Sequence, residues 1–155
     1  MLPAEVVAAA VAEWAAAAVA RAAVAGWPCR PVARPGHARR TQRHCAERLA
    51  GRTKVLQAAL ADSPHFADYH NLYAYAVRKG PNPDMALVFK HYTEALRINP
   101  RHLDALEYMG EAYLSINQPD KAKENLQRLD SLCFFGCEQY RELKQAIATY
   151  EAGRR

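Results

Sequence analysis

The first 52 residues contain no Lys, Asn, Asp, Ser, Ile, Phe or Tyr. Seventeen of them are alanine and eight are arginine, a palette too poor in large apolar side chains to build a packed core. The apolar stretch over residues 6–25 lacks two further things. No basic residue precedes it, as an export signal would require, and Glu13 and Arg21 interrupt it. It therefore reads as a poor signal and as no membrane span. Alanine's helix propensity predicts a helix over about residues 4–25, stopping near Gly26, Trp27 and Pro28. Pro31, Pro35 and Gly36, with Arg39, Arg40 and Arg43, read as a basic linker. Residues 1–52 are thus a leader, helical or disordered, or a stretch outside the native coding sequence.

Catalytic signatures are missing as well. There is no Gly-rich phosphate loop, no HExxH and no nucleophile motif. The six histidines, His37, His44, His65, His70, His91 and His102, are scattered and read as surface or partly packed side chains. No cofactor is implied. The formal charge is +5, but through Arg52 there are eight arginines against three glutamates, and from Thr53 onward thirteen basic against thirteen acidic residues. A neutral repeat-bearing part offers no concentrated basic face for phosphate, which argues against nucleic acid as a partner.

What is present is a repeat. The 155 residues suffice for one modest domain, and nine prolines with seven glycines punctuate the chain into short elements. From Thr53 two segments superimpose at a constant offset of 36. Pro64 falls on Pro100, Asp68 on Asp104, Tyr73 on Met109, Ala74 on Gly110 and Val77 on Tyr113. A proline ends one helical hairpin and turns the chain into the next. A small residue at Ala74 or Gly110 is expected to let the two helices of a hairpin approach closely, with large apolar residues on either side filling the groove. Leu126 and Leu129 follow the small Ala122 on a second helix, and Asn117, Gln118, Pro119 and Asp120 make the turn, with Asp120 as its expected N-cap.

Residues 101–132, with Met109, Gly110, Tyr113 and Ala122 at the apolar, small, aromatic and small places, resemble the tetratricopeptide repeat (TPR). The preceding repeat, residues 65–100, matches at Ala74, Tyr92, Ala95 and Pro100. Its turn Gly80-Pro81-Asn82-Pro83-Asp84 is two residues longer, so Val88 takes the small place. Leu56, Ala59 and Pro64 match the second helix of a truncated repeat over residues 53–64. After Cys133-Phe134-Phe135-Gly136-Cys137, the residues Tyr140, Leu143, Ile147 and Tyr150 recur at helical spacing, as the cap of a stacked array requires. This combination resembles small proteobacterial TPR proteins, often exported, which implies a bacterial and periplasmic setting; the leader taken at face value implies a cytoplasmic one. The resemblance implies an all-α fold: a short TPR-type helical hairpin solenoid over residues 53–152, closed by a linker and capping helix over residues 133–152.

Cys133 and Cys137 carry two readings. On an unbroken helix a bridge between them would be strained, but Gly136 permits a turn in which the sulfurs meet. An oxidising compartment favours the disulfide and the cytosol two free buried thiols. No metal is expected there, because no histidine lies near in sequence. Tyr73, Tyr75 and Tyr108, at helical spacing, read as core packing before a stacking platform.

The resemblance also implies a function, a non-catalytic protein–protein interaction module that holds a partner polypeptide on the concave face of its first helices. The family's outward-facing positions fall on Asp68, Asn71, Tyr75, Arg78 and Lys79, then on Asp104, Glu107, Glu111, Leu114 and Ser115. Asp104, Glu107 and Glu111 form an acidic row at spacings of three and four, so the expected partner is a neutral to basic protein or peptide. Two other classes stay open, a structural subunit completed by oligomerisation and a thiol-based redox or metal-binding protein using Cys133 and Cys137.

Overall fold

The computed structural model describes residues 51–134 and 136–153. The chain divides into two units, Met1–Arg52 and Thr53–Arg155. The expected leader helix and basic linker lie outside the described residues, as do His37 and His44.

Among the described residues the architecture is all-α, with helices packed in antiparallel sequence-neighbour pairs. Helix α1 covers residues 51–62. It is followed by α2 (Ala67–Arg78), α3 (Met85–Ile98), α4 (Leu103–Ser115), α5 (Pro119–Leu132) and α6 (Glu138–Ala152). Helix α2 packs on α3 and α4 on α5, while α3 and α4 join the two hairpins and α6 lies against both α4 and α5. Each stripe has helical period. Val88, Tyr92, Ala95 and Leu96 are buried on α3, Ala122, Asn125 and Leu129 on α5, and Leu143 and Ile147 on α6.

Two apolar clusters result. One holds Ala74, Val88, Tyr92 and Ala112, so Val88 does occupy a fully buried place opposite Ala74. The other holds Ala95, Leu96, Ala105, Leu106, Leu114, Ala122, Leu129, Leu143 and Ile147. Met109 packs against both and ties them together.

The helix ends explain where each element stops. Asp84 caps α3, its Oδ1 accepting from the Leu87 amide at 3.1 Å. His102 caps α4 with Nδ1, which accepts from the Ala105 amide at 3.3 Å. Helix α4 ends with Asn117 in the left-handed region, φ 62°. The Gln118 amide bonds back to the Tyr113 carbonyl and the Asn117 amide to Leu114, a Schellman closure that asparagine tolerates. The expected cap Asp120 is displaced: Gln118 is the N-cap of α5 and Pro119 takes the first turn, where its missing N–H costs nothing.

His70 and His102 are buried, deeper than surface or partly packed side chains, whereas His91 is half-buried. His70 is buried; its Nε2 donates to the Pro64 carbonyl at 2.9 Å and its Nδ1 meets His91 Nδ1 at 2.9 Å. Burial and then the neighbouring His70 lower His91 to about 4. The two imidazoles thus join α2, α3 and the turn at Pro64.

Gly110 corrects another expectation. A Cβ built there would lie 2.6 Å from both Leu143 methyl carbons, on α6. The small residue makes room for the last helix, and its hairpin partner α5 is tied to α4 elsewhere, by Asn125 Nδ2 donating to the Leu106 carbonyl at 3.2 Å.

Candidate peptide groove

Helices α2, α4 and α6 begin at Ala67, Leu103 and Glu138, steps of 36 and 35 residues. The supposed cap thus stands where the first helix of a third repeat would. Between α4 and α6 lies an open cleft of about 850 Å³, lined by Glu111, Leu114 and Ser115 from α4 and by Arg141, Glu142, Gln145, Ala146, Thr149 and Tyr150 from α6.

Three of the ten residues expected from sequence, Glu111, Leu114 and Ser115, line this cleft. The other seven do not. Along α2, Asp68 Oδ1 lies 3.0 Å from His102 Nε2 and so links the repeats. Asn71 is buried instead of facing outward. Tyr75 and Tyr108 rings pack 4.7 Å apart, with Arg78 and Lys79 over the Tyr75 face at 5.3 and 5.4 Å. The tyrosines thus differ: Tyr73 is buried against His91, whereas Tyr75 and Tyr108 are half-buried between α2 and α4.

The acidic row is not a row of free charges. Arg78, whose side chain is 8% exposed, bonds Glu111 at 2.6 Å. Asp104 Oδ1 accepts from Gln139 Nε2 at 2.8 Å. Glu107, expected to face outward, is 3% exposed. Burial, and then its hydrogen bond to Glu142, push its carboxyl up to about 9. At neutral pH Glu107 is therefore a protonated acid in the seam between α4 and α6. The sequence pattern set the three carboxylates along one side of α4 but could not see that another helix covers Glu107.

Six lining residues went unread because α6 was taken for a cap. The repeat step was the available signal.

Cys133 and Cys137 are joined by a disulfide with Cα atoms 5.5 Å apart. Cys133 is the C-cap of α5 and Cys137 the N-cap of α6, and Gly136 between them has φ 74°. The turn anticipated at Gly136 is thus the corner between two helices. Among the described residues, no group of three or more His, Cys, Asp or Glu side chains has metal-site geometry. No helix there is long and apolar enough to cross a membrane.

Comparison with known families identifies part of this array. Residues 91–124 match the tetratricopeptide repeat family. They are a TPR repeat. The match runs from His91 on α3 through α4 to Glu124 on α5, and the helical pairs around it have the packing of a TPR array. It does not reach Cys133–Cys137 or α6. TPR repeats generally mediate protein–protein contacts and are usually non-catalytic. No curated protein and no solved structure matches the chain.

Proposed function

We propose that this TPR domain binds a segment of a partner polypeptide along α2, α4 and α6, with the cleft between α4 and α6 as its principal pocket. The observation that carries the reading is the cleft itself, an open concavity between α4 and α6 with Leu114 and Ala146 among its apolar lining residues and Ser115, Gln145 and Thr149 among its polar ones.

Charge narrows the partner. Glu111 is held by Arg78 and Glu107 keeps its proton, so the remaining charged lining residues are Arg141 and Glu142, both exposed, with Glu142 also hydrogen-bonded to Glu107. A neutral to mildly basic segment fits, with a salt dependence weaker than three free carboxylates would give. Asp68, Asn71, Tyr75, Lys79 and Asp104 then act as the groove's framework and rim.

The test is affinity capture with mass spectrometry, followed by titration of a peptide from the identified partner. Gln145→Trp should fill the cleft and weaken binding at least tenfold, and Glu142→Lys should weaken a basic peptide and leave a neutral one nearly unchanged. Glu107→Lys is a poor probe, since it places a cation in a buried seam and perturbs α6. A partner that binds both cleft variants like the parent protein would remove the cleft from the mechanism.

A further inference from the structure

We propose that the Cys133–Cys137 disulfide is a redox latch on α6, and that its reduction by a dithiol opens one wall of the cleft. The link to peptide binding rests on the reading above, but the latch itself is a property of the helix array.

The bridge closes a ring of five residues directly between two helix ends, Cys133 capping α5 and Cys137 starting α6. It therefore decides where α6 begins and how far it can move from α5. Six of the nine lining residues of the cleft stand on α6. If α6 leaves, one wall leaves with it.

Without the bridge, α6 is held by a short apolar seam and a few polar contacts. Among its fifteen residues Leu143 and Ile147 are buried, Tyr140, Ala146 and Tyr150 pack partly buried against the same cluster, and Glu142 hydrogen-bonds the buried Glu107; Leu143 fits only because Gly110 has no side chain. The Lys123–Glu151 pair is about half exposed on both sides and adds little. Gln139 to Asp104 and Tyr150 to Asn117 add hydrogen bonds near the surface. Among the described residues α6 packs on α4 and α5, and a helix with two fully buried side chains opens more readily than a core helix.

The bridge is also within reach. Both cysteines are partly exposed, Gly136 is exposed, and Phe134 in the same corner is 92% exposed. A thiolate of a dithiol reductant attacks Cys133 Sγ, and the S–S bond breaks with its electron pair leaving on Cys137 Sγ. That sulfur sits at the N-terminus of α6, where backbone N–H groups favour a thiolate. The reductant's second thiol then displaces Cys133 Sγ and closes its own disulfide. Two protons pass from the dithiol to the two protein thiols, so the protein is reduced by two electrons and the dithiol oxidised by two.

Hydrogen exchange on the full chain, with and without excess dithiothreitol, tests this. Amides of α6 should exchange about thirtyfold faster after reduction, the loop-closure contribution of a five-residue ring, while α2 and α3 keep their rates. The double variant Cys133→Ser/Cys137→Ser should show the fast α6 rate in both conditions; Cys29 and Cys45 are present throughout, so the comparison isolates this bridge. Unchanged α6 exchange on reduction would overturn the latch. So would equal acceleration of every helix, or a double variant whose α6 still responds to dithiothreitol. Peptide binding does not enter the readout, so this proposal and the binding function can fail separately.

Discussion

A carboxyl group that is 3% exposed stays buried either by pairing with a cation or by keeping its proton, and the hydrogen-bonding neighbour of Glu107 is a second carboxyl, Glu142. The proton stays, up to about pH 9. Below about pH 4.5, the ordinary value for the group, folded and unfolded chains both hold this proton and the site is neutral in both. Between there and about 9 only the unfolded chain loses it, so stability falls as pH rises through that window. Glu107→Gln keeps a hydrogen-bonding group of the same shape and cannot ionise. Thermal melts of parent and variant should coincide near pH 4 and separate by about 4 °C or more at pH 8, with the variant the more stable. Parallel curves at all pH values would place the proton elsewhere. The sequence made Glu107 legible as one of three carboxylates on one side of α4, but its protonation depends on α6, which arrives from 35 residues further on.

Helix α6 sets the other tight constraint, through Gly110. In an open helix Gly→Ala gains about 1 kcal/mol from propensity. Here the new methyl group would sit 2.6 Å from Leu143, and overpacking costs about 1–3 kcal/mol. Overpacking should win, so Gly110→Ala is expected to destabilise the domain. Leu143→Ala in the same chain should recover part of that loss, giving a non-additive double-mutant cycle. An additive cycle would mean that Gly110 meets α5, as the repeat pattern alone suggested. That a small residue belongs at Gly110 was readable from its register with Ala74. Which helix needed the space was not, because periodicity marks a face and not its occupant.

The array as a unit begins where composition changes. The leader's alanine- and arginine-rich palette, free of Phe and Tyr, gives way at Thr53, and the chain's two units divide at the same point, between Arg52 and Thr53. We expect residues 53–150 to fold as one body without help from the leader. Limited trypsin digestion should leave a resistant fragment whose first residue lies between Arg40 and Arg52, identified by mass. A leader protected to the same degree as α2 to α5 would reject this division.

Local rules were enough to write most of the helices into the sequence. The 36-residue step, the prolines at Pro64 and Pro100, the cap at Asp84 and the apolar stripes of α3 and α5 each act within a turn or two of chain, so neighbouring residues carry the whole instruction. The cleft is different. Its two walls come from α4 and α6, Glu111 is occupied by Arg78 across 33 residues and Asp104 by Gln139 across 35, and the bridge at the α5–α6 corner places the second wall. Those pairings follow from how whole helices stack, and side-chain spacing along one helix holds no record of which charge, methyl group or sulfur will stand opposite.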